Sequence, residues 1–215
     1  MTKAILFDFD GVIMDSMGLK LDSYCYAFER FDFARADIKA LFYRHTGLSR
    51  HKILILIYVE LSGQLATDSI VNDVLSQFTE HDDRSRILMS PVPGSLDFLK
   101  QIYSRFYTAI ITGTPQDVID KTVEFHKLST YFDEVRGSPQ SKQEIIEELI
   151  SQSKIPREQC IFIGDGRTDQ EAAEACRIRF VGLDRGTVSF VHNRAWRVVS
   201  ALTDLLPHLD TPVKP

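Results

Sequence analysis

The sequence has no excess of basic residues. Its 25 lysines and arginines are outnumbered by 30 acidic residues, and a formal net charge of -5 gives no general pull toward nucleic acid or anionic lipid. Cysteine is scarce as well. Cys25, Cys160 and Cys176 are far apart, odd in number and form no CxxC pair, which speaks against a disulfide framework and for a reducing compartment. No His or Cys cluster has the spacing of a zinc site. Long apolar runs are missing too. Asp8 interrupts the N-terminal run too early for a secretory signal, and ILILIY at 53–58 is too short to cross a bilayer. There is no internal repeat and no low-complexity segment. The expectation is a soluble, cytoplasmic protein with neither a membrane nor nucleic acid as partner.

What remains is enough for one full core and a small accessory domain: 215 residues, 44% hydrophobic and 26% charged. Five short apolar segments read as strands: KAILFDF (3–9), FYTAIIT (106–112), FDEVRG (132–137), CIFIGD (160–165) and RFVGLD (179–184). AWRVVS (195–200) is a weaker sixth. Helical patterns follow Pro93, Pro115, Pro139 and Arg167. Strands alternating with helices predict an α/β fold, a doubly wound parallel sheet. One region breaks the alternation. LKLDSYCYAFERF, RADIKALFYR, RHKILILIYVELSG and ATDSIVNDVLSQFTEH all have helix-type apolar spacing, so residues 16–89 read as an α-helical insertion between the first and second strands. Gly18 and SPVPG (90–94) suit its hinges. HDDRSR (81–86) reads as a solvated loop or helix end.

In an open parallel sheet, ligands bind beyond the carboxyl ends of the strands. Several polar residues fall there. Asp8 and Asp10 end the first strand, and alternation in an extended chain would put both carboxylates on one face. As a pair they are either solvated turn residues or a cation site. Asp165 ends the fourth strand, and this third carboxylate makes an oxygen-rich site suited to Mg2+. Lys142 opens a helix, where the macrodipole disfavours a cation unless an anion faces it; the alternative is a surface lysine. Thr112 and Gly113, followed by Thr114-Pro115, lie at a strand end leading into a helix; this is either a phosphate cradle or an ordinary capped turn, Thr before Pro being common N-cap chemistry. Each signal alone is weak. Together they describe a site for Mg2+ and a phosphoryl group.

These residues resemble the haloacid dehalogenase superfamily, in particular its helical-cap members such as phosphoglycolate phosphatases and β-phosphoglucomutases. Asp8-Phe9-Asp10-Gly11 matches the DxDG motif, Thr112 the hydroxyl after the second strand, Lys142 the lysine before the fourth strand, and Gly164 to Asp169 the GDxxxD motif. The resemblance implies a Rossmann-like catalytic core of residues 1–15 and 90–215, with 16–89 as a cap whose motion excludes water and selects substrate. It implies that Asp8 attacks phosphorus and that Asp10 shuttles a proton. It implies Mg2+ on Asp8, Asp165 and the Asp10 carbonyl, with Asp169 supporting the metal shell or Lys142. It further implies that Thr112, the Gly113 amide and Lys142 bind the phosphoryl oxygens.

An Asp at position 10 sets the chain apart from the dehalogenases and phosphonoacetaldehyde hydrolases, and favours phosphomonoester chemistry on a small phosphorylated substrate. TGLSR (46–50) resembles a cap loop of sugar-phosphate mutases, where Arg50 would bind a second anionic group; the alternative is a solvated Arg at a helix start. Those mutases carry His where this chain has Lys20, which weighs against the mutase alternative. Gly166 stands where many relatives have Ser, and Val12 where Thr is commoner. A non-catalytic binding module is the third reading, and it predicts loss of catalytic positions. His45, His81, His126, His192 and His208 show no pairing in the sequence and read as surface or capping residues.

Overall fold

A computed structural model describes residues 2–45, 48–186 and 190–209. In chain order the elements are β1 (Ala4–Phe7), β2 (Met14–Asp15), α1 (Met17–Ala27), α2 (Arg35–Arg44), α3 (Arg50–Ser62), α4 (Asp68–Ser85), β3 (Ser90–Pro91), α5 (Ser95–Ile102) and β4 (Tyr107–Pro115). They continue with α6 (Gln116–Phe125), β5 (Glu134–Ser138), α7 (Lys142–Ser153), β6 (Cys160–Gly164), α8 (Arg167–Ala175), β7 (Arg179–Leu183) and β8 (Arg197–Val199). The chain forms two compact units, Met1–Asp15 with Ser90–Pro215, and Ser16–Met89.

The first unit is a six-stranded parallel sheet in the order β5-β4-β1-β6-β7-β8, with α5 to α8 around it. The fold is α/β and doubly wound. β1 lies inside the sheet, so its four residues AILF are apolar on both faces and buried throughout. Alternation sorts those faces. Ala4 and Leu6 pack with Ile145, Ile146 and Leu149 of α7 and Ala172 and Ala173 of α8. Phe7 turns the other way and meets the rings of Phe98 in α5 and Phe132, with centroids at 6.1 and 5.9 Å. Cys160 opens β6 and Cys176 caps α8, both buried as small apolar side chains.

β2 and β3 pair antiparallel over two residues, Met14 with Pro91 and Asp15 with Ser90. The chain leaves and re-enters the sheet unit through this short ladder. It does not use Gly18, which lies inside α1.

The second unit is helical, α1 to α4 around Leu21, Tyr24, Phe28, Phe42, Leu54, Ile57 and Phe78. Tyr24 sits between Phe42 and Phe78, ring centroids at 5.1 and 4.6 Å. Ser49 and Thr67 cap α3 and α4 by accepting from the Lys52 and Ile70 amides. HDDRSR is a helix end, the second of its two expected readings, but it is not wholly solvated. α4 runs to Ser85, and Asp82 and Arg86 are buried as an i,i+4 ion pair at 2.9 Å. A balanced pair of that spacing can enter an apolar interior, which a charge-run reading does not anticipate. His81 faces Ser23 Oγ at 3.0 Å and stacks on Tyr26, and His45 meets Glu60 at 3.2 Å; both histidines are therefore paired. Of the TGLSR stretch, Thr46 and Gly47 lie outside the described residues. Among the described residues no helix is long and apolar enough to cross a membrane.

Candidate active site

The site is built at the carboxyl ends of β1, β4 and β6. Asp8 continues the parity of Ala4 and Leu6 and so faces α7 and α8. The extended chain ends there. The Phe9 carbonyl accepts from the amides of Ile13 and Met14, at 2.9 and 3.1 Å, and Gly11 takes φ +82°. A tight turn therefore separates Asp8 from Asp10. Regular strand alternation stops before the second carboxylate, so the turn and not the pleat places Asp10, which still lies near enough for its charge to raise Asp8. Asp8 meets Lys142, whereas Asp10 accepts through Oδ2 from the Thr114 hydroxyl at 2.9 Å.

Lys142 is the first residue of α7, behind a Ser141–Glu144 capping box. Its ammonium lies between two carboxylates, 2.5 Å from Asp169 Oδ1 and 3.0 Å from Asp8 Oδ2. Its side chain is only 14% exposed, so it is not a surface lysine. Burial disfavours the ammonium, but Asp169 and Asp8 outweigh burial and raise its pKa. Asp169 is fixed from both sides, with Oδ1 on Lys142 and Oδ2 accepting from the Gly166 amide at 3.0 Å. Gly164 makes room for it: a Cβ there would lie 2.3 Å from that of Asp169. Gly11 does the same for Asp165, whose Oδ2 would be 2.1 Å from a side chain at that position.

Asp8, Asp165 and Asp169 each offer a carboxylate oxygen within 4.8 Å of the others. Burial, with Asp169 and Asp10 near and only Lys142 opposing, pushes Asp8 up to about 7. Burial and the negative charges of Asp8 and Asp169 push Asp165 up to about 8. Four carboxylates thus crowd around one ammonium. The donors are hard oxygens with no His or Cys among them, which suits a small hard dication. Asp8 is engaged on both oxygens as Asp169 is, Oδ1 accepting from the Phe9 amide at 2.8 Å and Oδ2 meeting Lys142, and each engaged oxygen keeps a second lone pair to offer a cation.

Thr112 is buried on β4 and Gly113 beside it is exposed. β4 does not end at Thr112. It reaches Pro115 across an irregularity: Ile111 pairs with Arg136 and Pro115 with Ser138, so four steps along β4 match two along β5. This bulge takes Thr112, Gly113 and Thr114 out of the regular ladder. Thr112 Oγ1 accepts from the Thr114 amide at 3.2 Å, which leaves its own proton for an outside acceptor. Thr114 is not the N-cap that Thr before Pro suggests but a hydroxyl donor to Asp10, and a second hydroxyl two residues after Thr112 is the signal the sequence offers for it. Arg50 starts α3 in the helical unit, away in sequence from these residues. Its Nη1 is buried and has no hydrogen-bond partner among the described residues.

A family model described as haloacid dehalogenase-like hydrolase matches residues 5–183. The phosphoglycolate phosphatase 1 of Pseudomonas aeruginosa is 28% identical over 227 residues, covering 97% of this chain and 80% of that one. A phosphoglycolate phosphatase of Pseudomonas fluorescens is 27% identical, covering 86% and 70%. Among solved structures, a haloacid dehalogenase-like hydrolase from Streptococcus pneumoniae superposes with a TM-score of 0.81 at 18% identity, covering 97% of this chain and 99% of that one, which speaks for the fold.

Proposed function

The chain belongs to the haloacid dehalogenase-like hydrolases, and on that premise we propose that it is a Mg2+-dependent phosphatase acting on a small phosphorylated metabolite through an aspartyl-phosphate. The observation that carries the reading is Lys142 held between Asp8 and Asp169, with Asp165 completing a carboxylate cluster.

Asp8 is the nucleophile. Its carboxylate oxygen bonds to phosphorus as the bond to the leaving oxygen breaks, and Asp10 gives that oxygen a proton. Asp10, now ionised, takes a proton from water as the water oxygen attacks phosphorus and frees Asp8. Lys142, the Thr112 hydroxyl and the Gly113 amide hold the phosphoryl oxygens. Asp8 and Asp165 would hold Mg2+ together with the Asp10 carbonyl, and Asp169 orients Lys142. When bound, the ion offsets the repulsion between the Asp8 carboxylate and the phosphate.

The relatives named as phosphoglycolate phosphatases support a substrate with a second anionic group. The unpaired Nη1 of Arg50 supports the same, as a group able to meet that anion once residues 16–89 act as a cap. The experiment is phosphate release from 2-phosphoglycolate and from p-nitrophenyl phosphate, with Mg2+ or with chelator, in the wild type and Asp8→Asn. Release that needs both Mg2+ and Asp8 is expected. Equal rates in the two proteins would sink the mechanism, and a sugar phosphate given as a third substrate, isomerised without phosphate release, would turn the reading to the phosphomutase alternative.

A further inference from the structure

We propose that Thr114 is a positioning residue that fixes the direction of the Asp10 carboxyl for proton transfer; the inference rests on Asp10 being the proton shuttle. Both side chains are buried, 5% and 6% exposed, and the Thr114 hydroxyl donates to Asp10 Oδ2 at 2.9 Å. The bond spans 104 positions of sequence and joins the turn after β1 to the bulge of β4.

The hydroxyl is itself held on every side of its backbone. The Thr114 amide donates to Thr112 Oγ1 at 3.2 Å. The Thr114 carbonyl packs so close to Gly137 of β5 that a Cβ there would stand 2.4 Å away. Gln116 then ties the two strands together, accepting from the Gly137 amide at 2.7 Å and donating to the Val135 carbonyl at 3.0 Å. A hydroxyl so fixed constrains the χ angles of the carboxyl it bonds, which otherwise turn freely about a broad torsion. The same donor serves both halves of the cycle. It bonds one oxygen of the neutral acid while Asp10 protonates the leaving oxygen, and it bonds the carboxylate while Asp10 takes a proton from water. No proton passes through Thr114, so its contribution is orientation.

Orientation of a general acid matters most when the leaving oxygen is basic. The test is kcat/KM for phenyl phosphate and for p-nitrophenyl phosphate, with Mg2+, in the wild type, Asp10→Asn, Thr114→Val, Thr114→Ala and Thr114→Ser. General acid catalysis contributes about 10^2- to 10^4-fold, and misorienting the acid is expected to lower the phenyl to p-nitrophenyl ratio about tenfold in Thr114→Val and Thr114→Ala. Thr114→Ser keeps the hydroxyl and is expected to restore the ratio to within about twofold of wild type. Either hydroxyl-free variant that folds decides the matter. If the ratio collapses in Asp10→Asn but holds in the hydroxyl-free variants, the role of Thr114 is overturned and Asp10 stands. If the ratio also holds in Asp10→Asn, or the wild type cleaves neither ester, the underlying reading of the site fails instead.

Discussion

The two units treat buried charge in opposite ways. At the strand ends of the sheet unit, four carboxylates face one ammonium, and Asp8 and Asp165 are driven far above the ordinary carboxylate range. In the helical unit, Asp82 and Arg86 form a one-to-one pair, and the other ion pairs, such as Arg44–Glu60 and Arg35–Asp22, lie at the surface. A balanced buried pair needs no ligand to offset its charge and belongs to the scaffold. An unbalanced cluster holds its charge only with a ligand or bound protons, so it marks a site. Arg50 differs from that pair in the helical unit: it makes no ion pair among the described residues, and its Nη1 is buried without a hydrogen-bond partner there.

The sharpest break of this comparison is Asp8→Asn. Loss of the nucleophile is expected to cost at least about a thousandfold in turnover. The same change removes one charge from an overfull cluster, so thermal stability without metal should hold or rise. A fall in both activity and stability would mean that Asp8 is scaffold after all. In the helical unit the expectation reverses. Arg86→Ala leaves Asp82 buried and unpaired, at about 3–5 kcal/mol and a melting temperature lower on the order of 10 °C. Asp82→Leu with Arg86→Met should regain most of it. A single Arg86→Ala that melts with the wild type would show the pair to be idle.

That contrast also decides how much could be read from the sequence. Strand ends are places that topology dictates. Asp8, Thr112 and Asp165 each follow an apolar run, so their order along the chain already announces one end of the sheet. Lys142 was legible because a cation at a helix start runs against the macrodipole. Features that depend on departures from regular geometry were not legible. The turn at Phe9, and not the strand pleat, brings Asp10 near Asp8. The β4 bulge turns Thr114 from a cap into a partner of Asp10, and no local pattern announces a bulge. Asp82 and Arg86 looked solvated because charge runs usually are, and only the packing of α4 shows otherwise. The two-residue β2–β3 ladder is too short to leave any periodic trace.

Arg50 tests that difference. If its guanidinium meets a second anion, Arg50→Ala should lower kcat/KM for 2-phosphoglycolate by about tenfold to a hundredfold, the worth of a charge-assisted hydrogen bond. p-Nitrophenyl phosphate has no second anion, and its rate should move by less than about twofold. Equal losses on both would assign Arg50 to packing, in line with its place 6.0 Å from the Phe78 ring.

The smallest effect sharpens the idea of an unbalanced cluster by titrating it. Asp8 and Asp165 stand at about 7 and about 8 in the folded protein, against an ordinary 3.8. A carboxyl whose pKa is raised on folding binds its proton more tightly when folded. Its contribution to stability is full below about 3.8 and is lost as pH rises from there through 7 to 8, levelling off above. Without metal, the melting temperature should fall between pH 6 and pH 8.5. A dication favours the ionised carboxylates and must displace those protons, so its apparent affinity should strengthen over the same window, by up to about tenfold per pH unit for each proton released. Thermal unfolding at each pH, with Mg2+ and with chelator, measures both trends. A melting temperature that rises with pH in chelator, or a metal effect that is flat across the window, would mean that Lys142 alone already neutralises the cluster and that the imbalance is not what makes this end of the sheet a site.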